Sequence, residues 1–115
     1  MKYLILPPPV YLNLEYYQMV AIPPGARSIR VYEMNISTAY IAVRNALKTY
    51  YLNGHWTVDW PGRYKFSGTA FDYRRSYREP ESLTSAGPTN ETLIVEVDSS
   101  LMALGLGFGG LLEFL

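Results

Sequence analysis

Residues 63–75 read RYKFSGTAFDYRR, and their alternation decides the fold class. Tyr64 and Phe66 share one side of an extended chain, while Thr69, Phe71 and Tyr73 alternate against Ala70, Asp72 and Arg74. Side chains that change sides at every residue belong to a strand with one buried face. A helix would instead place its apolar residues three and four apart. Working outward, the pattern recurs. Residues 28–33 set Ile29 and Val31 against Arg30 and Tyr32, and residues 39–44 set Ile41 and Val43 against Tyr40, Ala42 and Arg44. Leu93, Val95 and Val97 make one more apolar face, and residues 15–22 and 49–52 are strand-like in composition. Residues 76–90 read as a polar loop.

The turns are equally legible. Pro24 and Gly25 suit the two central positions of a type II turn between residues 22 and 28. Asn53-Gly54 is a strong short hairpin signal, since a type I′ turn needs positive φ at both central residues; it predicts pairing of 49–52 with 55–60. In that strand Trp56, Val58 and Trp60 line the core and His55, Thr57 and Asp59 face outward. Short strands at this spacing, divided by glycine and proline, imply a sandwich or a barrel. Alternation stops at Asp98, where a Gly/Leu-rich run begins. The chain thus divides into an N-terminal extension (1–14), a β domain (15–97) and a divergent tail (98–115).

The composition supports this and removes several functions. The 115 residues include 11 tyrosines and 8 prolines, no cysteine, and ten acids against ten Lys plus Arg. Without cysteine there are no disulfides, thiolate nucleophiles or cysteine metal sites. Zero net charge argues neither for nucleic acid nor for an anionic membrane, and neither is expected as a partner. The charge is uneven all the same. Arg63, Lys65, Arg74, Arg75 and Arg78 face Asp72 alone, and from Glu79 onward there are six acids and no base. MKYLILPPP has too short an apolar run for a signal peptide, and the final fifteen residues are too short and too glycine-rich for a membrane span.

The lone histidine, His55, carries no catalytic motif. His55 and Asp59 lie about 13 Å apart on a regular strand, beyond hydrogen-bond reach. No G-x-S-x-G surrounds a serine, the carboxylates lack ligand spacing, and GLGFGG lacks the strand before it and the Lys or helix after it. No cofactor or metal is expected. The arginines of YRRSYR (73–78), interleaved with tyrosine, suit sulfated or phosphorylated polyanions, which guanidinium grips in a two-pronged way; the same run reads more simply as a solvated strand end and loop. Asn35-Ile36-Ser37 and Asn90-Glu91-Thr92 are N-glycosylation sequons in expected loops.

Several spaced motifs together resemble the spacer domain of the ADAMTS and ADAMTS-like family. They are Ile22-Pro23-Pro24-Gly25-Ala26 with Ile29 and Val31, then Tyr40-Ile41-Ala42-Val43-Arg44, and Tyr51-Leu52-Asn53-Gly54. Gly68-Thr69 with Phe71 and Tyr73, Gly87-Pro88-Thr89 and the strand at Leu93 complete the series. NGHW and GPT look more like the ADAMTS-like glycoproteins, papilin and thrombospondin type-1 domain-containing proteins than like the proteases. The resemblance implies an all-β, antiparallel β-sandwich of jelly-roll type, secreted and without catalysis. It further implies binding to extracellular-matrix proteins of the fibrillin microfibril kind and to heparan sulfate, for which Arg63, Lys65, Arg74, Arg75 and Arg78 are the candidates. The alternative is a substrate-recognition exosite of a secreted ADAMTS metalloprotease. A third reading, a sugar hydrolase, requires a concave pocket with two close carboxylates. The family continues past Val97 with further strands that this tail does not resemble. The sandwich is therefore expected to be incomplete at that edge, either left bare or covered by the apolar tail.

Overall fold

The computed structural model describes residues 2–5, 16–33, 40–54, 58–76, 78–98 and 110–113. All its regular elements are strands: β1 (Lys2–Ile5), β2 (Tyr16–Ile22), β3 (Ile29–Glu33), β4 (Ile41–Asn45), β5 (Tyr50–Leu52), β6 (Gly62–Phe66), β7 (Thr69–Ser76), β8 (Glu79–Ser85), β9 (Leu93–Asp98) and β10 (Gly110–Glu113). They form two sheets, of order β1-β10-β3-β8-β7-β6 and β2-β9-β4-β5, antiparallel at every pairing. The expected all-β sandwich is what the chain adopts.

The core is the set of inward residues that alternation selected. Ile29, Val31, Ile41, Val43, Phe71, Tyr73, Leu93, Val95 and Val97 are all buried, joined by Ile22, Leu52 and Leu83. Burying an aliphatic or aromatic side chain of this size contributes about 1.5–3 kcal/mol, so this inner layer holds the sheets together. At the side where β5 leaves one sheet and β6 begins the other, Tyr51, Phe66 and Phe71 stack in series, with centroids 4.9 and 4.3 Å apart.

Three sequence expectations need correction. Residues 76–90 are not one loop: β8 lies inside the larger sheet, between β3 and β7. Its outward residues are polar and it contains Pro80, which disguised it. The β3–β8 ladder uses only Ser82–Ser85, so the missing N–H of Pro80 lies beyond those rungs. Of its inward residues Glu81, Leu83 and Ser85, Glu81 is only 1 % exposed, where alternation would seek an apolar side chain.

Asn53-Gly54 is likewise no hairpin turn. β5 pairs with β4, and residues 58–60 are not strand. Asn53 has φ 55°, but Gly54 has no positive φ; a Cβ there would lie 2.3 Å from Tyr50 Cβ, so the glycine serves packing. The two-residue turn with both central φ positive is Ser67-Gly68 (52° and 82°), joining β6 to β7. Finally, Trp60 is 86 % and Val58 47 % exposed, so neither lines the core; Trp56 and Thr57 fall outside the described residues.

The Pro24-Gly25 turn is as expected, with Gly25 at φ 82°. It is joined to the Gly87-Pro88-Thr89 segment, whose Gly–Pro bond is cis. Gly25 N–H donates to Thr89 O (2.7 Å), Thr89 N–H to Ala26 O (3.1 Å), and the Thr89 hydroxyl to Pro23 O (2.9 Å). Two motifs more than sixty residues apart thus form one structural unit. Past Val97, the tail contributes β10, which pairs with β3 on one side and β1 on the other, so the β3 edge is covered.

Candidate functional site

Strand parity and register place the basic residues. Antiparallel partners share a face, so Arg30 (β3), Thr84 (β8), Asp72 (β7) and Arg63 (β6) form one row across the outside of the larger sheet. Lys65 stands on the same face opposite Ala70, and Arg74 opposite Ser82. Arg30, Arg63, Lys65 and Arg74 are exposed. The row floors a shallow concavity of about 460 Å³, lined also by Ser28, Thr69 and Ser85. Arg63 Nε lies 3.5 Å from Asp72 Oδ1 in an exposed pair, and such pairs contribute little stability. Among the described side chains of β3, β6, β7 and β8 on this face, four cations against one carboxylate leave it positive. The concavity holds one carboxylate, Asp72, so it does not supply the close pair that the sugar-hydrolase reading requires.

Arg75 is separated from its neighbours. It points inward with Phe71 and Tyr73, and its Nη1 lies 3.2 Å from Glu81 Oε2. Its guanidinium also sits 5.6 Å from the centre of the Tyr40 ring. Glu81 accepts a hydrogen bond from Tyr73 O–H as well, and its Oε1 accepts from Ile41 N–H of the opposite sheet at 2.9 Å. Burial, the largest single influence, lowers the Arg75 pKa, but the charges of Glu81 and Tyr73 and the hydrogen bonds to both together outweigh it, and the net shift is upward. The Tyr73 hydroxyl is pushed up by burial first, then by the Glu81 charge. This network clasps the two sheets. Arg78 is exposed beyond the end of β7. The five sequence candidates therefore divide, with Arg63, Lys65 and Arg74 gathered on the outer face and Arg75 committed to the interior. Arg30 joins the first group from 33 residues away in sequence, by register alone.

At the same end of the molecule as Glu81, Asn53 bolts down the crossover between the sheets. Its side chain, fully buried, donates to Ile41 O (2.8 Å) and accepts from Asp59 N–H (2.6 Å); its own N–H donates to Asp59 Oδ2 (2.7 Å). Tyr64 O–H donates to Trp60 O. Trp60 is thereby held outward on a fixed backbone, and sequence reasoning missed it by assigning it to the core. At the opposite end, Glu91 accepts from Ser67 O–H (2.7 Å) and Tyr51 O–H (2.8 Å), which hold its pKa below the usual value. Asn90 beside it is exposed, whereas Asn35 and His55 fall outside the described residues. Among the described residues no cluster of His, Asp or Glu could hold a metal ion, and no helix is long and apolar enough to cross a membrane.

Comparison with known proteins now bears on these surfaces. The family profile "ADAM-TS Spacer 1" matches residues 11–102. Over 83 residues, 72 % of this chain, the sequence is 80 % identical to human "A disintegrin and metalloproteinase with thrombospondin motifs 16". It is 51 % identical over 92 residues (76 % of the chain) to the human protein of the same name numbered 18. Identity to human "Thrombospondin type-1 domain-containing protein 4" is 41 % over 87 residues (72 % of the chain). The chain spans only 7–8 % of the length of these relatives. The lean of NGHW and GPT toward the glycoproteins is thus reversed, with the metalloproteinases the more similar.

Proposed function

The chain belongs to the ADAM-TS spacer family, a non-catalytic region, and from that premise we propose that it is a substrate-recognition exosite of an extracellular metalloprotease. The observation that carries this reading is the 80 % identity to a protein named as a metalloproteinase, against 41 % to a thrombospondin type-1 domain-containing protein. An exosite raises the local concentration of substrate at a separate catalytic domain and does no chemistry itself. The test replaces the matching segment of the human relative numbered 16 with this chain, and compares that chimera with a deletion. Deletion should depress turnover of a protein substrate relative to a short peptide spanning the same bond, and the chimera should restore it. Equal turnover of both substrates after deletion would end the exosite reading.

A second reading follows from the outer face of the larger sheet. Arg63, Lys65 and Arg74, joined by Arg30, present an excess of three positive charges on one surface, suited to heparan sulfate. Heparin chromatography tests it: K65A with R74A should elute at clearly lower salt. Elution at unchanged salt would remove those residues from the site. Association with fibrillin-type microfibrils stands as a further expectation of the family branch containing the glycoproteins. The exposed Asn90 sequon suits N-glycosylation, which fits an extracellular setting.

A further inference from the structure

We infer that the outer edge of β3 is a strand acceptor and that β10 is its built-in occupant. An extended segment of a partner protein, carrying two apolar residues followed by a carboxylate, displaces it. This goes beyond the exosite reading, since it concerns a sheet edge and stands whether or not the parent protein is a protease.

The first ground is what fills the edge. The family profile matches residues 11–102, which leaves β1 and β10 as the two strands outside it. β3 is therefore the last strand of the larger sheet that the family region supplies, and its edge has taken a segment from outside the profile. An edge of this kind selects by ladder hydrogen bonds and residue pattern, as strand addition does.

The second ground is the pattern. β10 runs antiparallel to β3 and sets Leu111 opposite Tyr32, Leu112 opposite Val31 and Glu113 opposite Arg30. Val31 begins an inner row that continues through Leu83 and Tyr73, each at most 1 % exposed, so the position opposite Val31 calls for an apolar residue. Arg30 is exposed on the outer face, and the residue opposite it is an acid. Opposite charges on facing residues stabilise a strand pair, and like charges destabilise it.

The third ground is how lightly the occupant is held. β10 has four rungs on β3, and β1 has β10 as its only ladder partner, so the two leave together. Residues 99–109 separate β9 from β10 and include Gly105, Gly107 and Gly109. A link of that length reaches roughly 36 Å when extended, against about 10 Å between packed sheets, so β10 is able to depart with β9 in place. The same tether keeps β10 near its edge and makes it a competitor of any incoming strand.

The test is fluorescence polarisation of a labelled peptide of residues 109–115, added to the full chain and to its Leu112→Asp variant. The aspartate sets a charge in the inner row and so expels that chain's own β10. The variant should bind the peptide roughly 10- to 100-fold more tightly, because an acceptor left free only about 1–10 % of the time loses that factor in apparent affinity. A peptide with Glu113→Lys should bind roughly 5-fold more weakly, and Arg30→Glu in the same chain should restore it. Equal affinity of the two chains, or a Glu113→Lys loss that Arg30→Glu does not restore, would overturn the acceptor. If Leu112→Asp does not fold, hydrogen exchange on the unaltered chain decides. Amides of residues 110–113 should exchange well ahead of those of residues 93–98, and excess peptide should keep the β3 amides protected. Equal protection of β10 and β9 would mean that the tail opens only with the whole fold, and would overturn the inference too.

Discussion

Replacing Glu81 by Ala should destabilise the domain by about 3–5 kcal/mol, as removal of one partner from a buried ion pair does. The carboxylate is 1 % exposed and accepts from Ile41 N–H at 2.9 Å, from Tyr73 O–H and from Arg75 at 3.2 Å. Alanine leaves two buried donors unsatisfied, each costing about 1–3 kcal/mol. It also strips Arg75 of its partner, but that side chain is 23 % exposed and can recover water, which keeps the total from growing further. Against a domain stability of about 5–15 kcal/mol the loss is severe. With a urea m-value near 1.5 kcal/mol/M, the midpoint should fall by roughly 2–3 M. Glu81→Gln keeps an acceptor for Ile41 N–H but sets an amide NH2 where Oε2 accepts from Tyr73 O–H and Arg75, and should cost about 1–3 kcal/mol. Unfolding is followed by intrinsic fluorescence and circular dichroism together. A midpoint shift below about 0.5 M for Glu81→Ala, with an unchanged m-value, would refute the clasp.

Other outcomes follow from the same geometry. A Cβ on Gly87 would lie 2.2 Å from Ala26 O, at φ 71°, so Gly87→Ala should cost about 2–4 kcal/mol in urea titrations; Gly25→Ala, with φ 82° but open space around it, should cost only about 1 kcal/mol. Burial and the Glu81 charge raise the Tyr73 pKa above its ordinary 10.0, so the folded state holds that proton more tightly than the unfolded chain. That contribution is complete below pH 10 and is lost as pH rises beyond it, and Tyr73→Phe should flatten the alkaline fall of the urea midpoint. Hydrogen bonds from Ser67 and then Tyr51 hold Glu91 below 4.5, so its contribution is present above that pH and lost on acidification; Glu91→Gln should flatten the acid limb.

The inner faces of β3, β4, β7 and β9 were legible because burial imposes a period of two directly on the residues. β8 was not, because its inward set includes Glu81, whose partners come from β4 and β7, and no local pattern announces a long-range clasp. The hairpin turn went to the wrong pair for a related reason. Asn53-Gly54 has the better local chemistry, but Asn53 is used to tie β4 to the crossover, while Ser67-Gly68 takes the turn with Glu91 and Asn90 supporting it. The candidate basic surface was half legible. Nearness in sequence grouped Arg74 with Arg75, although the alternation of residues 69–75 already set them on opposite faces. Arg30 could enter only through the β3–β8–β7 register, which is invisible before the strands are paired.

The joining of the Pro23–Ala26 turn to Thr89 sets an order on synthesis. Ala26 N–H meets the Thr89 hydroxyl across a separation of 63 residues, and β2 has β9 as its partner. A growing chain therefore carries this turn and β2 without these hydrogen-bond partners until the last third of the domain has been made. Such non-local closure is slow, because chain entropy is lost before the contacts repay it. In a ribosome-arrest series, protease resistance should stay absent from nascent chains exposed only to residue 85 and appear once residue 98 has cleared the tunnel.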